Sequence, residues 1–201
     1  MKRGFTLIEM VVSISIVTII AVLFIANYHS SNKRTDLIMA AQNLVADLHA
    51  AQNNALGLVK YGATPALAEV PAGGWGISFD TSLNSYTLFA DLDIPSTPSS
   101  PSPGYREYDP ETEGNINYGA RVTQLPPQIE IMELKTTDAD EDTHLDDQVN
   151  VTFLPPDPST NIYRVNAVAT STVLEIKFRE KQNNTTKTVR INFLGLAEVS
   201  D

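Results

Sequence analysis

Hydrophobic and polar residues change their spacing twice along the chain. From Phe5 to Ala26 the sequence is predominantly apolar, and Glu9 is its only charged residue. A helix of these 22 residues would measure about 33 Å, enough to cross about 30 Å of hydrocarbon. The first stretch therefore predicts a membrane-spanning helix.

The second stretch has an apolar residue at alternating steps of four and three, which is the spacing of one helical face. These positions are Leu37, Ala41, Leu44, Leu48, Ala51, Ala55 and Leu58. No glycine or proline occurs between Phe5 and Leu56, and Gly57, Gly62 and Pro65 then supply stop signals. We therefore expect one helix over residues 5–59, about 80 Å long, half in lipid and half against a domain.

Beyond Pro65 the apolar residues alternate with polar ones, as in β-strands. Two hairpins are predicted, one over 75–79 and 86–89 and the other over 174–179 and 188–193 with a turn at 182–185. Further strands are predicted at 128–134, 149–154 and 162–169. Proline-rich or acidic composition predicts long loops at 92–115 and 135–148.

The predicted fold class is α+β, with a long N-terminal helix packed against one antiparallel sheet of about seven strands. The expected division is a leader at 1–4, a membrane-spanning half-helix at 5–27, an amphipathic half-helix at 28–60, and a globular β domain at 61–201.

Glu9 is the unusual residue of the apolar stretch. A carboxylate at the centre of a membrane helix costs about 2.5–3.5 kcal/mol on insertion scales, and less near the interface. Thr6 and Glu9 have the spacing of a capping box, which gives Glu9 a purely structural role in an ordinary anchor. A cleaved signal peptide is disfavoured because no small-x-small site follows the apolar core.

The segment Gly4-Phe5-Thr6-Leu7-Ile8-Glu9 resembles the cleavage and methylation signal of type IV prepilins and pseudopilins. The resemblance implies cleavage between Gly4 and Phe5 by a prepilin peptidase and methylation of the new Phe5 amine. It also implies that Glu9 meets the Phe5 amine of a neighbouring subunit during assembly on an inner-membrane platform. The globular domain would then be periplasmic, or extracellular in an assembled filament.

The wider layout resembles the H-type minor pseudopilins of type II secretion and the FimT-like minor pilins. The matching features are the helix, Trp75, the Tyr-x-Leu-Phe-x-Asp strand end at 86–91, and Gly195 beside the closing strand. Major subunits of this family usually carry a proline in the apolar half of the helix, and its absence here favours a minor subunit.

Composition and charge exclude several kinds of functional site. The net charge is −10, and residues 28–201 carry −11 because Lys2, Arg3 and Glu9 sum to +1 in the first 27 residues. Such a field repels nucleic acid as a whole. The chain has no cysteine, which excludes disulfides, thiolate nucleophiles and cysteine metal sites. No catalytic motif appears, so we expect a protein without enzymatic activity.

Two acidic regions are candidates for a calcium site, although a solvated acidic loop is the favoured interpretation. Asp138, Asp140 and Asp142 begin like an EF-hand loop, but Thr143 and Val149 replace the required glycine and glutamate. A second group of oxygen ligands is Asp91, Asp93, Asp109 and Glu111.

Residues 161–192 carry a net positive charge, unlike the chain as a whole, because they include six basic and two acidic residues. Lys177 and Arg179 share a strand face, and Arg190 is expected on the partner strand. The favoured interpretation of this surface is a solvated sheet face, or a contact with acidic neighbours in a filament. The alternative is a filament-tip module that binds DNA or adheres through residues 161–192, although nucleic acid is a disfavoured partner.

Overall fold

The computed structural model describes residues 6–62, 68–92, 106–114, 119–154, 159–165, 167 and 169–200, except the side chains of 25–33 and 159. One helix, α1, spans Leu7–Leu56. Eleven strands follow among these residues: β1 Gly74–Asp80, β2 Ser85–Asp91, β3 Arg121–Gln124, β4 Ile129–Thr137, β5 Thr143–Asp146, β6 Gln148–Leu154, β7 Ser159–Arg164, β8 Ala169–Ser171, β9 Val173–Glu180, β10 Thr186–Asn192 and β11 Ala197–Ser200. The α+β prediction is confirmed.

Helix α1 is uninterrupted for 50 residues, or about 75 Å, because no residue within it breaks the backbone ladder. Gly57 is its C-terminal cap, with its N–H bonded to Asn53 O at 2.8 Å. Leu58 then has a φ of 49°, which takes the chain out of helical geometry.

The predicted apolar stripe of α1 is buried over Leu37, Ala41, Leu44, Leu48, Ala51 and Ala55, each at most 1% exposed. Leu58 was predicted to continue the stripe, and this is wrong: it lies beyond the helix and is 49% exposed. The stripe forms one hydrophobic core with inward-facing residues of the strands, among them Ile77, Phe153 and Ile176.

The strands form two antiparallel sheets, where the sequence predicted one. The six-stranded sheet has the order β3-β2-β1-β6-β7-β8, and the five-stranded sheet has the order β11-β10-β9-β4-β5. The extra strands are the four edge strands β3, β5, β8 and β11. Each has only three or four residues, which is too short for an alternating apolar pattern to predict a strand.

Both predicted hairpins are confirmed. Strands β1 and β2 pair around residues 81–84, and β9 and β10 pair around residues 181–185. Asn184 has a φ of 54° in the second turn, a left-handed conformation that asparagine adopts more readily than most residues.

The predicted loop at 135–148 is wrong. Strand β4 continues to Thr137 and pairs with β5, so the loop is only the turn 138–142. The acidic composition predicted a loop, but Thr143–Asp146 form β5, a polar strand at the edge of the five-stranded sheet. Of the predicted loop at 92–115, residues 93–105 and 115 lie outside the described residues.

Asp47 connects α1 to the six-stranded sheet. Its carboxylate accepts hydrogen bonds from the Tyr86 hydroxyl at 2.9 Å, from the Thr123 hydroxyl at 3.3 Å, and from the Arg121 guanidinium. Burial, followed by the charge of Asp47, holds the pKa of Tyr86 above its ordinary value. The helix is thus fixed against β2 and β3 by polar contacts as well as by the apolar stripe.

Candidate functional site on the N-terminal helix

Thr6 and Glu9 form the predicted capping box. The Thr6 N–H and hydroxyl both donate to Glu9 Oε2 at 2.8 Å, and the Glu9 N–H donates to Thr6 Oγ1 at 3.4 Å. This exchange satisfies backbone donors that the first turn of a helix leaves free. It also places a carboxylate at the first turn, where the positive end of the helix dipole favours it.

The helix beyond Glu9 is apolar and uncovered. Residues Leu7–Phe24 form the one described helical segment that is long and apolar enough to cross a membrane, and none of it is buried within the chain. Its hydroxyl side chains do not interrupt this character, because Ser13, Ser15 and Thr18 each bond to the carbonyl four residues earlier, at 2.7–2.8 Å.

The arrangement explains what Glu9 can do. A carboxylate in hydrocarbon is costly unless a cationic group or hydrogen-bond donors accompany it. Thr6 supplies two donors within the chain, and a cationic amine from outside could approach the exposed carboxylate. Gly4 and Phe5 lie outside the described residues, so cleavage between them, methylation of Phe5 and the assembly role of Glu9 stay predictions.

The predicted basic surface is charge-balanced in three dimensions. On the outer face of the five-stranded sheet, Arg179 forms an ion pair with Glu130, and Lys181 lies 3.7 Å from the same carboxylate. Lys177 stands opposite Glu133 in the register of β9 and β4. Two acids from β4 therefore offset part of the positive excess counted along residues 161–192.

Arg190 belongs to a row of alternating charges across the same face. Its guanidinium lies 3.8 Å from Glu198 and 3.9 Å from Glu175, and Glu175 is 3.4 Å from Lys135. The row gives the sheet a polar, nearly neutral surface. Nothing in this arrangement concentrates positive charge for a phosphate backbone.

The three calcium candidates of the acidic turn do not converge. Asp138 accepts hydrogen bonds from Ser171 Oγ at 2.6 Å and from His144 Nε2 at 2.9 Å, and Arg164 lies 3.5 Å away. The Ser171 hydrogen bond is the main cause that lowers the pKa of Asp138. Asp140 and Asp142 are exposed, and no metal-binding group of three or more is found among the described residues.

The second set of oxygen candidates is also engaged in local structure. Asp91 is fully buried and accepts the Arg106 N–H at 2.9 Å. Asp109 accepts the Glu111 N–H at 2.9 Å and the Thr112 hydroxyl at 2.8 Å, which closes a turn in the described part of the loop. Asp93 lies outside the described residues.

Sequence reasoning missed the cluster of Ser171, Asp138 and His144. The residues are up to 33 positions apart, so only the pairing of the strands brings them together. Because Asp138 stands between the other two, the histidine does not contact the serine hydroxyl. Activation of a serine nucleophile needs the histidine beside the serine, so the cluster is a structural one. A partly buried ion pair from Arg164 to Asp146 at 2.9 Å extends it between the two sheets.

Comparison with protein families matches residues 1–25 to the prokaryotic N-terminal methylation motif. Comparison with curated proteins and with solved structures gave no match. The motif supports a type IV pilin-like prepilin that is processed by prepilin peptidase and assembles with other pilin subunits. Together with the apolar helix, it fits a single-pass membrane-anchored protein.

Proposed function

We propose that this chain is a minor pilin or pseudopilin of a type II secretion or type IV pilus-like filament. It inserts in the bacterial inner membrane through the apolar half of α1. Prepilin peptidase cuts between Gly4 and Phe5 and methylates the Phe5 amine, and the assembly platform then adds the subunit to a filament. Its β domain is periplasmic, or extracellular once the filament extends.

The observation that carries this proposal is the methylation motif placed directly before an exposed apolar helix. A helix that the domain leaves uncovered over Leu7–Phe24 needs either lipid or other helices around it. Cleavage before Phe5 would create an amine one residue from Thr6, close to the Glu9 carboxylate. An anchor without assembly would explain the helix but would have no use for a processing motif.

The experiment is intact-mass and N-terminal analysis of the chain from its native membrane. We expect a chain that starts at Phe5 and carries one methyl group on its amine. A matched pair of variants separates processing from assembly. We expect Glu9→Gln, which keeps the shape but removes the charge, to be cleaved normally but to be lost from sheared filaments. Ser13→Ala, one turn later, should behave as the wild type. A chain that still starts at Met1 in cells with active prepilin peptidase would refute the proposal.

A further inference from the structure

The end of the β4–β5 hairpin is held by polar contacts and not by the core. Strand β5 is a four-residue edge strand that pairs with β4. No residue from 135 to 148 belongs to the hydrophobic core, and Leu145 on β5 is 72% exposed. Segments with few buried apolar contacts open locally at a lower free energy than the rest of a domain. The stability of this hairpin end therefore depends on its polar contacts.

Two aspartates of the hairpin make its contacts with the six-stranded sheet. Asp138 accepts a hydrogen bond from Ser171 Oγ of β8 at 2.6 Å and lies 3.5 Å from the Arg164 guanidinium of β7. Asp146 accepts from the same guanidinium at 2.9 Å and from the Thr136 hydroxyl at 2.6 Å. We call Asp138, Asp146, Arg164 and Ser171 the clasp, because these four side chains join the edges of the two sheets.

The negative charge of Asp138 lies between two basic side chains. His144 Nε2 on β5 is 2.9 Å from the carboxylate, and Arg164 approaches it from β7. The acidic side chains of the turn at 140–142 are exposed and point no closer contact at it. The hydrogen bond from Ser171, followed by the charges of His144 and Arg164, holds the pKa of Asp138 below its ordinary value.

Acid weakens this arrangement. The closed hairpin favours an ionised Asp138, whereas in an opened hairpin the carboxyl would return to its ordinary pKa of 3.8. The opened form is therefore protonated more easily than the closed one. The stability that the charge contributes is fully present above that ordinary value and is lost as the pH falls through the lowered pKa. A neutral Asp138 would leave two basic side chains, His144 and Arg164, facing it without an opposite charge.

Hydrogen bonds beside the clasp do not titrate, and they limit how far the hairpin can open. The N–H and the hydroxyl of Thr172 both donate to Thr137 O, at 2.8 Å and 2.9 Å. Thr172 is the residue between β8 of one sheet and β9 of the other. Strand β4 also stays paired with β9 as far as Thr137. An opening that begins at Asp138 therefore ends at Thr137 and leaves the core closed.

We propose that the clasp is a device released by acid: protonation of Asp138 frees the turn 138–142 and β5 from the six-stranded sheet while the core stays folded. Release leaves residues 134–137 of β4 with one unpaired strand edge, and such edges can pair with another chain. The clasp lies in the β domain, so its release does not depend on cleavage between Gly4 and Phe5.

Hydrogen–deuterium exchange of the full-length chain in detergent tests the clasp. Asp138→Asn keeps the size of the side chain and removes its charge at every pH. At pH 7 we expect the amides of 143–146 to exchange at least about tenfold faster than in the wild type, since a hydrogen bond to a charged group is worth at least that factor. The amides of Leu44 and Leu48 on α1 should keep their protection. Asp140→Asn is the matched control, because it changes an exposed acid of the same turn, and it should exchange as the wild type does.

A pH series on the wild-type chain is the second measurement, and it does not require the variant to fold. After correction for the intrinsic pH dependence of exchange, we expect the protection of 143–146 to fall between about pH 5 and pH 3, before that of α1. Equal exchange in the wild type, Asp138→Asn and Asp140→Asn would overturn the inference. Loss of protection in 143–146 and in α1 at the same pH would also overturn it, because the hairpin would then open only when the whole domain unfolds.

Discussion

Asp47 accepts hydrogen bonds from three side chains on two strands, and the Tyr86 hydroxyl is the one with the fewest alternative partners. Tyr86 is 1% exposed, so water cannot replace the carboxylate as the partner of its hydroxyl. When a buried donor or acceptor loses its hydrogen-bond partner, the protein is destabilised by the desolvation penalty of that group, about 1–3 kcal/mol. The contribution of Asp47 to stability is therefore set mainly by the cost of leaving the Tyr86 hydroxyl buried without a hydrogen-bond partner.

We expect Asp47→Ala to lower the free energy of unfolding by about 1–3 kcal/mol. Urea unfolding of the full-length chain in detergent, followed by Trp75 fluorescence, measures this change. Gln42→Ala is the control, since it alters an exposed side chain on the same helix and should stay within about 0.5 kcal/mol of the wild type. Equal midpoints for both variants would show that Asp47 does not fix the helix to the sheet.

At the scale of elements, the buried stripe of α1 is the main packing surface of the domain. Leu44 is fully buried in the shared core, whereas Met39 on the same helix is 51% exposed. We expect Leu44→Ala to cost about 2–5 kcal/mol, because it removes buried methyl groups and leaves a cavity. Met39→Ala should change stability by about 0.5 kcal/mol or less. Thermal unfolding of both variants in the same detergent gives the comparison, and similar losses would contradict the assigned core face.

The sequence predicts the elements whose residues alternate or repeat around the core. Ile176 and Phe178 alternate with charged neighbours, and Leu44 and Leu48 repeat at helical spacing, so β9 and α1 could be found. The edge strand β5 could not, because Thr143–Asp146 is polar and its partner β4 determines its structure. The division into two sheets also escaped prediction, because β1 pairs with β6 across about 70 residues and local patterns contain no information on such pairing.

At the scale of the whole molecule, charge has to be counted on surfaces. Arg179 meets Glu130, which is 49 residues away, and this pairing is invisible in a count along residues 161–192. The capping box at Thr6 and Glu9 was predictable because it is local. The balanced face was not, because it depends on the register of distant strands.

We expect the full-length chain to show no salt-dependent DNA binding, even at low ionic strength, since acids on the same face offset Lys177, Arg179 and Arg190. Fluorescence anisotropy with labelled double-stranded DNA over a salt series measures it, because binding through phosphates weakens steeply as salt rises. Lys177→Glu with Arg179→Glu is the comparison variant. Binding by the wild type that this variant abolishes would instead establish the filament-tip alternative.

The continuity of α1 has a mechanical consequence. Between Ala26, the last residue of the apolar stretch, and Leu37, the first buried residue of the stripe, the helix runs for ten residues, or about 15 Å. A headgroup layer takes up about 5–8 Å of that length, so the helix carries the domain about 7–10 Å clear of the lipid surface. This part of α1 has no proline or glycine that could act as a hinge. A push or rotation applied at the membrane therefore reaches the domain through a single stiff rod.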